Sequence, residues 1–234
     1  MSKIKAVAFD AGYTLLRPVW DEWFLPPRLF DFVDRQAWEA LDPAIYRRAY
    51  QAGYDYLDVI HDQVKTEQQE YEQFLGFFEA FSQQAPQLNM TRPVCEALAE
   101  DHTYNDRKFV FYQDVKPALD RLKERYRLGV LSDTWPSLHR IFENYGIRRY
   151  FEAFVLSCDV GVFKPDPKIY QALVASFGLE PSQIVFVDDV LENLQGAQKA
   201  GIRPVQILRK DLPTGPFPTV KNMAELEALL VNLE

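Results

Sequence analysis

The spacing of apolar residues divides the chain into parts with different periodicities. Residues 4–9 form a short apolar run that ends at Asp10, which is typical of a buried strand leading into a turn. Beyond about residue 113, short apolar runs alternate with segments of helical period. The runs predict strands at residues 128–131, 154–156, 184–187 and 204–208. The other segments predict helices at residues 114–126, 136–145 and 166–178, a helix that ends at 200, and a last one at 222–232.

The stretch between about residues 18 and 110 has a helical period and contains no convincing alternating strand. Asp42 followed by Pro43 is typical of a helix start, and Thr66-Glu67-Gln68-Gln69 fits a capping box. After this box an apolar helix face is predicted from Tyr71, Phe74, Phe77, Phe78 and Phe81. Four more aromatic side chains belong either to the core of this helical part or to a surface facing a site: Trp20, Trp23, Phe24 and Trp38.

Alternating strands and helices predict an α/β fold with a parallel sheet that has helices on both faces. We expect residues 1–17 and 110–234 to form this α/β domain and residues 18–109 to form a separate, all-helical domain. Functional residues of such sheets gather at the carboxyl ends of the strands. This rule brings together residues that are far apart in the chain: Asp10, Ser132, Lys164, Asp188 and Asp189.

This set of side chains predicts chemistry on a phosphoryl group. Three carboxylates at one edge of a sheet repel each other unless a cation lies among them, and oxygen ligands beside a phosphate favour Mg²⁺. A lysine and a serine hydroxyl would hold the phosphoryl group, and one carboxylate would attack phosphorus. Each Asp by itself is more often a turn former or a helix cap, so the prediction depends on their convergence.

The composition excludes several other classes of protein. The formal net charge of −8 argues against a nucleic-acid partner, and no apolar run is long enough for a membrane span. The two cysteines, Cys95 and Cys158, form neither a disulfide framework nor a CxxC pair, so a reduced, cytoplasmic setting is the default expectation. His61, His102 and His139 show no metal-ligand spacing. The oligomeric state stays open.

Four motifs resemble those of the haloacid dehalogenase-like hydrolase superfamily, in the same order. The matching segments begin at Asp10 (Asp-Ala-Gly-Tyr-Thr), Leu131 (Leu-Ser-Asp), Lys164 (Lys-Pro-Asp-Pro) and Phe186 (Phe-Val-Asp-Asp). The resemblance implies a Rossmann-like α/β domain, with the helical part as a cap inserted after the first motif. It also implies a Mg²⁺-dependent phosphatase of small phosphorylated metabolites.

The same resemblance assigns roles to individual residues. Asp10 is expected to be the nucleophile and a metal ligand, with the backbone carbonyl of Gly12 and the carboxylate of Asp189 as further ligands. Asp188 would support the metal directly or through water. Ser132 and Lys164 would act in catalysis and hold the phosphate. Asp133 and Thr14 complete the expected substrate site, Thr14 by orienting the first loop.

Gly12 departs from the pattern of the family's phosphatases, which carry a general acid–base Asp two residues after the nucleophile. A missing acid–base group costs roughly 10²- to 10⁴-fold in rate, so we expect slow turnover that favours good leaving groups. Asp133 and Asp159 are the nearby acids that could compensate. Two alternatives follow from Gly12: a 2-haloacid dehalogenase, and a catalytically degenerate protein that binds a phosphorylated ligand or a partner.

Overall fold

The computed structural model describes residues 3–60 and 64–233, and His61 lies outside these ranges. The strands are β1 Ala6–Phe9, β2 Leu16–Pro18, β3 Phe109–Phe111, β4 Arg127–Ser132, β5 Ala153–Leu156, β6 Ile184–Asp188, β7 Arg203–Ile207 and β8 Thr219–Val220. The helices are α1 Leu29–Phe32, α2 Arg35–Glu39, α3 Pro43–Ile60, α4 Glu67–Gln84, α5 Arg92–Tyr104, α6 Val115–Leu122, α7 Ser137–Asn144, α8 Ser157–Val160, α9 Pro167–Phe177, α10 Leu191–Lys199 and α11 Met223–Asn232. Short 3₁₀ turns occupy Pro86–Leu88, Asp106–Lys108, Arg148–Tyr150 and Pro181–Gln183.

Six strands form one sheet in the order β5-β4-β1-β6-β7-β8, and every neighbouring pair is parallel. The register places Phe9 opposite Val130 on one side and Val187 on the other. The carboxyl ends of β1, β4 and β6 therefore lie side by side at one edge of the sheet. The parallel pairing of all neighbouring strands confirms the predicted α/β class with a parallel sheet. The central strand β1 is flanked by strands from distant parts of the chain.

The strands are apolar because the sheet is covered on both faces. All four residues of β1 are fully buried. Ala6 and Ala8 belong to a core shared with α9 and α10, whereas the alternate residues Val7 and Phe9 point the other way and are equally buried. A strand buried on both faces reads as a continuous apolar run rather than an alternating one, which is the pattern that residues 4–9 show.

The chain divides into two compact units. The first contains Met1–Arg17, Val110–Thr134 and His139–Glu234, and the second contains Pro18–Phe109 together with Trp135–Leu138. The last segment was not expected in the second unit. It lies there because the indole N–H of Trp135 donates to Gln73 Oε1 (2.7 Å), and its ring packs against Phe74.

Aromatic side chains fill the core of the second unit. The predicted capping box is present at Thr66, and the helix α4 that it starts buries the predicted apolar face, including Phe74, Phe77 and Phe81. Trp38 stacks on Phe81 with ring centroids 5.6 Å apart, and Phe24 packs edge-on against Phe77. Phe24 and Trp38 therefore contribute to this core. The sequence alone left open whether they belong to the core or to a surface facing a site.

A buried ion pair lies in the same unit. Glu70 on α4 is fully buried and accepts hydrogen bonds from the ammonium group of Lys108 (3.0 Å) and from both the backbone N–H (2.9 Å) and the hydroxyl (2.7 Å) of Ser137. Lys108 also donates to the Ser137 hydroxyl at 2.8 Å. The carboxylate of Glu70 and the ammonium group of Lys108 neutralise each other. Removal of one partner would therefore leave a buried, uncompensated charge.

His102 on α5 is also buried in the second unit. Its ring stacks on Phe74 with centroids 3.6 Å apart, and its Nε2 lies 3.2 Å from the carbonyl oxygen of Trp23. Burial, and secondarily the charge of Lys108, holds the pKa of His102 well below its usual value. The imidazole is therefore neutral in the folded protein. Within residues 3–60 and 64–233, no helix combines the length and the hydrophobicity that crossing a bilayer requires.

Candidate active site

The loop after β1 presents Asp10 at the end of the central strand. The backbone N–H of Asp10 donates to Val187 O (2.8 Å), which continues the sheet by one residue. The carbonyl of Ala11 then accepts the N–H groups of Leu15 (2.9 Å) and Leu16 (3.0 Å), so the chain turns sharply. The left-handed backbone conformation in this turn falls on Tyr13 (φ 46°) and not on Gly12.

Lys164 bridges two of the predicted carboxylates. Its ammonium group lies 2.7 Å from Asp10 Oδ1 and 2.8 Å from Asp188 Oδ2. The Ser132 hydroxyl donates to the same Asp10 oxygen at 3.0 Å. Residues from the ends of β1, β4 and β6 and from the loop after α8 thus meet within hydrogen-bond distance, as the strand-end rule predicts.

Further hydrogen bonds fix this arrangement. Asp133 accepts the backbone N–H of Lys164 (2.9 Å), so the residue after the predicted phosphate-binding serine holds the lysine loop in place. Asp188 accepts from the backbone N–H of Val190 (2.8 Å) and from the side-chain amide of Asn193 (3.0 Å). Together with Lys164, these donors orient the Asp188 carboxylate rigidly.

Negative charge is in excess at this edge of the sheet. Burial raises the pKa of Asp10 to about 7, since the attraction of Lys164 only partly offsets it and Asp188 adds repulsion. Burial, followed by the charges of Asp188 and Asp10, raises the pKa of Asp189 to about 8. Burial also raises the pKa of Asp133. Lys164 is desolvated too, but the surrounding carboxylates raise its pKa well above the usual value.

A divalent cation fits this set of donors. The carboxylates of Asp10, Asp133, Asp188 and Asp189 outnumber Lys164. The raised pKa values of Asp10, Asp133 and Asp189 indicate that more positive charge would stabilise the ionised forms. All available donors are oxygens, which is the ligand type that Mg²⁺ takes in proteins.

Thr14 and the turn around it are held by residues that follow β7. Thr14 is fully buried, and its carbonyl accepts a hydrogen bond from Arg209 Nη2 (3.3 Å). Arg209 also forms a two-pronged ion pair with Asp114 (2.8 and 3.0 Å), and the ammonium group of Lys210 lies 3.7 Å from the centre of the Tyr13 ring. Sequence reasoning missed Arg209, although its place two residues beyond the end of β7 satisfies the strand-end rule.

Close packing of α10 supports the lysine loop. A Cβ atom added at Gly196 would lie 2.6 Å from the Tyr170 hydroxyl and 2.9 Å from Pro165 Cβ. The Tyr170 hydroxyl itself donates to the Asn193 carbonyl (2.7 Å). Only glycine at this position lets the helix after Asp188 lie directly against the residue that follows Lys164.

Asp159 takes part in a different contact. Its carboxylate pairs with His139 (2.9 Å) at a half-exposed surface. Of the two acids considered as substitutes for a proton donor, Asp133 is the one that contacts the lysine loop.

Comparison with known proteins decides the family. A family model described as haloacid dehalogenase-like hydrolase matches residues 4–201. The chain belongs to the haloacid dehalogenase-like hydrolases. One relative of this hydrolase is the glyceraldehyde 3-phosphate phosphatase of Methanopyrus kandleri, which is 35% identical over 116 residues. That match covers 45% of this chain and 48% of the relative, so the hydrolase matches about half the length of this curated relative.

Solved structures match the whole hydrolase at low sequence identity and thus support its fold. The 2-haloacid dehalogenase of Pseudomonas syringae pv. Tomato DC3000 matches with a TM-score of 0.69 at 20% identity and covers 99% of this chain and 100% of its own. The magnesium-bound HAD-hydrolase YfnB of Bacillus subtilis matches with a TM-score of 0.67 at 14% identity and covers 98% and 99%.

Proposed function

We propose that this hydrolase is a Mg²⁺-dependent phosphatase of small phosphorylated metabolites that acts through an aspartyl phosphate at Asp10. The observation that carries the proposal is the contact set of Asp10: a buried lysine at 2.7 Å and a serine hydroxyl at 3.0 Å, beside two further carboxylates. A carboxylate placed between hydrogen-bond donors and a cation site is arranged to attack a phosphoryl group.

In this proposal Asp10 attacks phosphorus, an oxygen–phosphorus bond forms, and the bond to the leaving alkoxide or aryloxide breaks. The leaving group then takes its proton from solvent water. Ser132 and Lys164 bind the phosphoryl oxygens, and water then releases phosphate from Asp10. Asp10, the carbonyl of Gly12 and Asp189 would hold Mg²⁺, and Asp188 would support it directly or through water. Bound Mg²⁺ would neutralise charge on the phosphoryl oxygens.

The second unit would serve as the cap of this site. We infer this role from the position of Pro18–Phe109 after the first motif, where the family places its helical cap. We propose a small phosphate ester as the substrate. The Methanopyrus relative is named for a substrate of this kind, glyceraldehyde 3-phosphate.

The rate of the proposed reaction is limited by proton supply. Gly12 offers no proton to a leaving alkoxide, so esters of acidic alcohols are the better substrates. Aryl phosphates are therefore the right probes for a first assay, because their leaving groups need little protonation.

An aryl-phosphate assay with and without Mg²⁺ tests the proposal. We expect metal-dependent release of phosphate that Asp10→Asn abolishes. The matched control is Asp120→Asn, which makes the same change at an exposed site on α6 and should keep wild-type turnover. Absence of turnover in the wild type, together with phosphate binding detected by calorimetry, would instead support the degenerate binding protein.

A 2-haloacid dehalogenase is the second candidate, favoured by Gly12 and by the fold match to a 2-haloacid dehalogenase. In that reaction the aspartate attacks a carbon atom and no metal is needed. The extra negative charge of Asp189 would then have no cation to balance it. Chloride release from 2-chloropropionate in the presence of a chelator would favour this candidate over the phosphatase.

A further inference from the structure

Three side chains of the first unit, none of them assigned to phosphoryl transfer, lie close together. His139 lies on α7, whereas Cys158 and Asp159 lie on the short helix α8 that follows β5. One ligand atom from each residue lies within 4.8 Å of those of the other two. His139 Nε2 is 2.9 Å from Asp159 Oδ2, and Cys158 Sγ is 3.9 Å from Asp159 Oδ1.

The surroundings of these side chains limit their motion. The ring of His139 packs against Phe154 on β5, with centroids 5.3 Å apart. The hydroxyl of Ser157, the first residue of α8, accepts the backbone N–H of Thr134 at 2.8 Å and so ties the start of this helix to the segment after β4. Three ligand atoms are thus held close together before any cation arrives.

Access and burial also suit a bound cation. The side chains of His139 and Asp159 are 44% and 49% exposed, so an ion can enter from solvent, whereas Cys158 is buried beneath them. An exposed histidine–aspartate pair contributes little to stability and needs no thiol beside it. Both cysteines of the chain are described, and neither forms a disulfide, so Cys158 is a thiol.

The three ligand types select a particular class of metal. Sulfur and imidazole nitrogen favour Zn²⁺ and related transition metals, whereas Mg²⁺ prefers oxygen ligands. Three protein ligands with one position left for water is a common zinc arrangement. Binding would replace the thiol proton of Cys158, which passes to solvent as the sulfur–metal bond forms.

We propose that His139, Cys158 and Asp159 form a Zn²⁺ site that is separate from the Mg²⁺ site proposed at Asp10. Cys158 and Asp159 follow His139 by 19 and 20 positions in the chain, so no short sequence motif indicates the site. Zn²⁺ bound there would link α7 to α8 and stabilise the first unit by mass action.

Co²⁺ absorption under reducing conditions tests the proposal without any activity assay. We expect one equivalent of Co²⁺ to produce a thiolate-to-metal charge-transfer band that excess Mg²⁺ leaves in place and Zn²⁺ removes. Cys158→Ser should abolish the band, whereas Cys95→Ser, the matched change at the other buried cysteine, should retain it. A Co²⁺ ion bound only by the carboxylates near Asp10 gives no such band.

If Cys158→Ser fails to fold, variants of the two exposed ligands, His139 and Asp159, still test the proposal. His139→Ala and Asp159→Asn alter surface side chains, and thermal melts will show that both variants fold. Each should weaken Co²⁺ binding at least about tenfold, the smallest loss that removal of even a supporting residue produces. No thiolate band in the wild type, or a band of unchanged affinity in both variants, would overturn the proposal.

Discussion

Restoring the missing acid at position 12 is the change that most sharply probes the proposed chemistry. Gly12 is half-buried, and its backbone does not adopt the left-handed conformation that would exclude a side chain. The strain of the turn falls on the next residue, Tyr13. Gly12→Asp therefore introduces a carboxyl group two residues beyond Asp10 with little backbone cost.

The size of the expected gain follows from proton transfer to the leaving group. One positioned acid contributes roughly 10²- to 10⁴-fold, which corresponds to about 3 to 5 kcal/mol of activation free energy. An alkyl phosphate needs the whole of this help because its alkoxide is strongly basic. An aryl phosphate needs little of it, so its rate should change by less than about tenfold.

The assay compares kcat/KM for an alkyl and an aryl phosphate in the wild type, in Gly12→Asp and in Gly12→Asn. The asparagine variant has nearly the same size but cannot supply the proton, so it controls for changes of loop geometry. We expect the ratio of alkyl to aryl rates to rise only in the aspartate variant. An equal gain for both esters, or the same gain with asparagine, would show that proton supply does not limit the reaction.

Three further predictions concern stability. Glu70→Ala should lower the free energy of unfolding by about 3 to 5 kcal/mol, since it leaves a buried ammonium group unpaired. Glu72→Ala on the exposed side of the same helix should cost less than about 0.5 kcal/mol. Urea titrations measure both values, and equal losses in the two variants would contradict the prediction. Gly196→Val should cost about 1 to 3 kcal/mol by overpacking and reduce turnover, whereas Gln198→Ala, exposed on the same helix, should do neither. His102 stays neutral when folded but takes up a proton below pH 6.5 when unfolded, so its own contribution to stability should fall with decreasing pH by up to about 1.4 kcal/mol per unit below that value. The raised pKa values of Asp10 and Asp189 contribute with the opposite sign, so the test compares the slope of the wild type with that of a variant. His102→Phe should remove this part of the slope, and unchanged slopes would contradict the buried, neutral assignment.

The sequence predicted the sheet well because each central strand has a single dominant signal. Residues 184–187 form an apolar run that ends in two acids, and the structure differs only by including Asp188 in β6. The predicted strand at 4–9 is shorter in the structure, where β1 begins at Ala6. Such end effects depend on ladder hydrogen bonds, which hydrophobic periodicity does not register.

Short elements escaped prediction for a related reason. Strands β2, β3 and β8 have two or three residues each, too few to show a period. The helix α8 has four residues, which is too short for an apolar periodicity to predict a helix. These elements are defined by their tertiary partners, and a single sequence carries little information about partners.

The candidate site was predictable in its residues but not in its contacts. Topology alone brings Asp10, Ser132 and Asp188 to one edge of the sheet. Which atoms meet depends on side-chain packing, so the bridge that Lys164 makes between two carboxylates and the support of Thr14 by Arg209 appear only in three dimensions. The meeting of His139 with Cys158 is tertiary in the same sense.

Chemical trapping of the covalent intermediate tests the central claim most directly. Borohydride reduces an aspartyl phosphate to homoserine, and peptide mapping by mass spectrometry then locates the modified residue. After incubation with an aryl phosphate and Mg²⁺, we expect homoserine at position 10, and none when Mg²⁺ or the substrate is omitted. Turnover without homoserine at this position, or with the modification at another carboxylate, would contradict the assignment of Asp10 as the nucleophile.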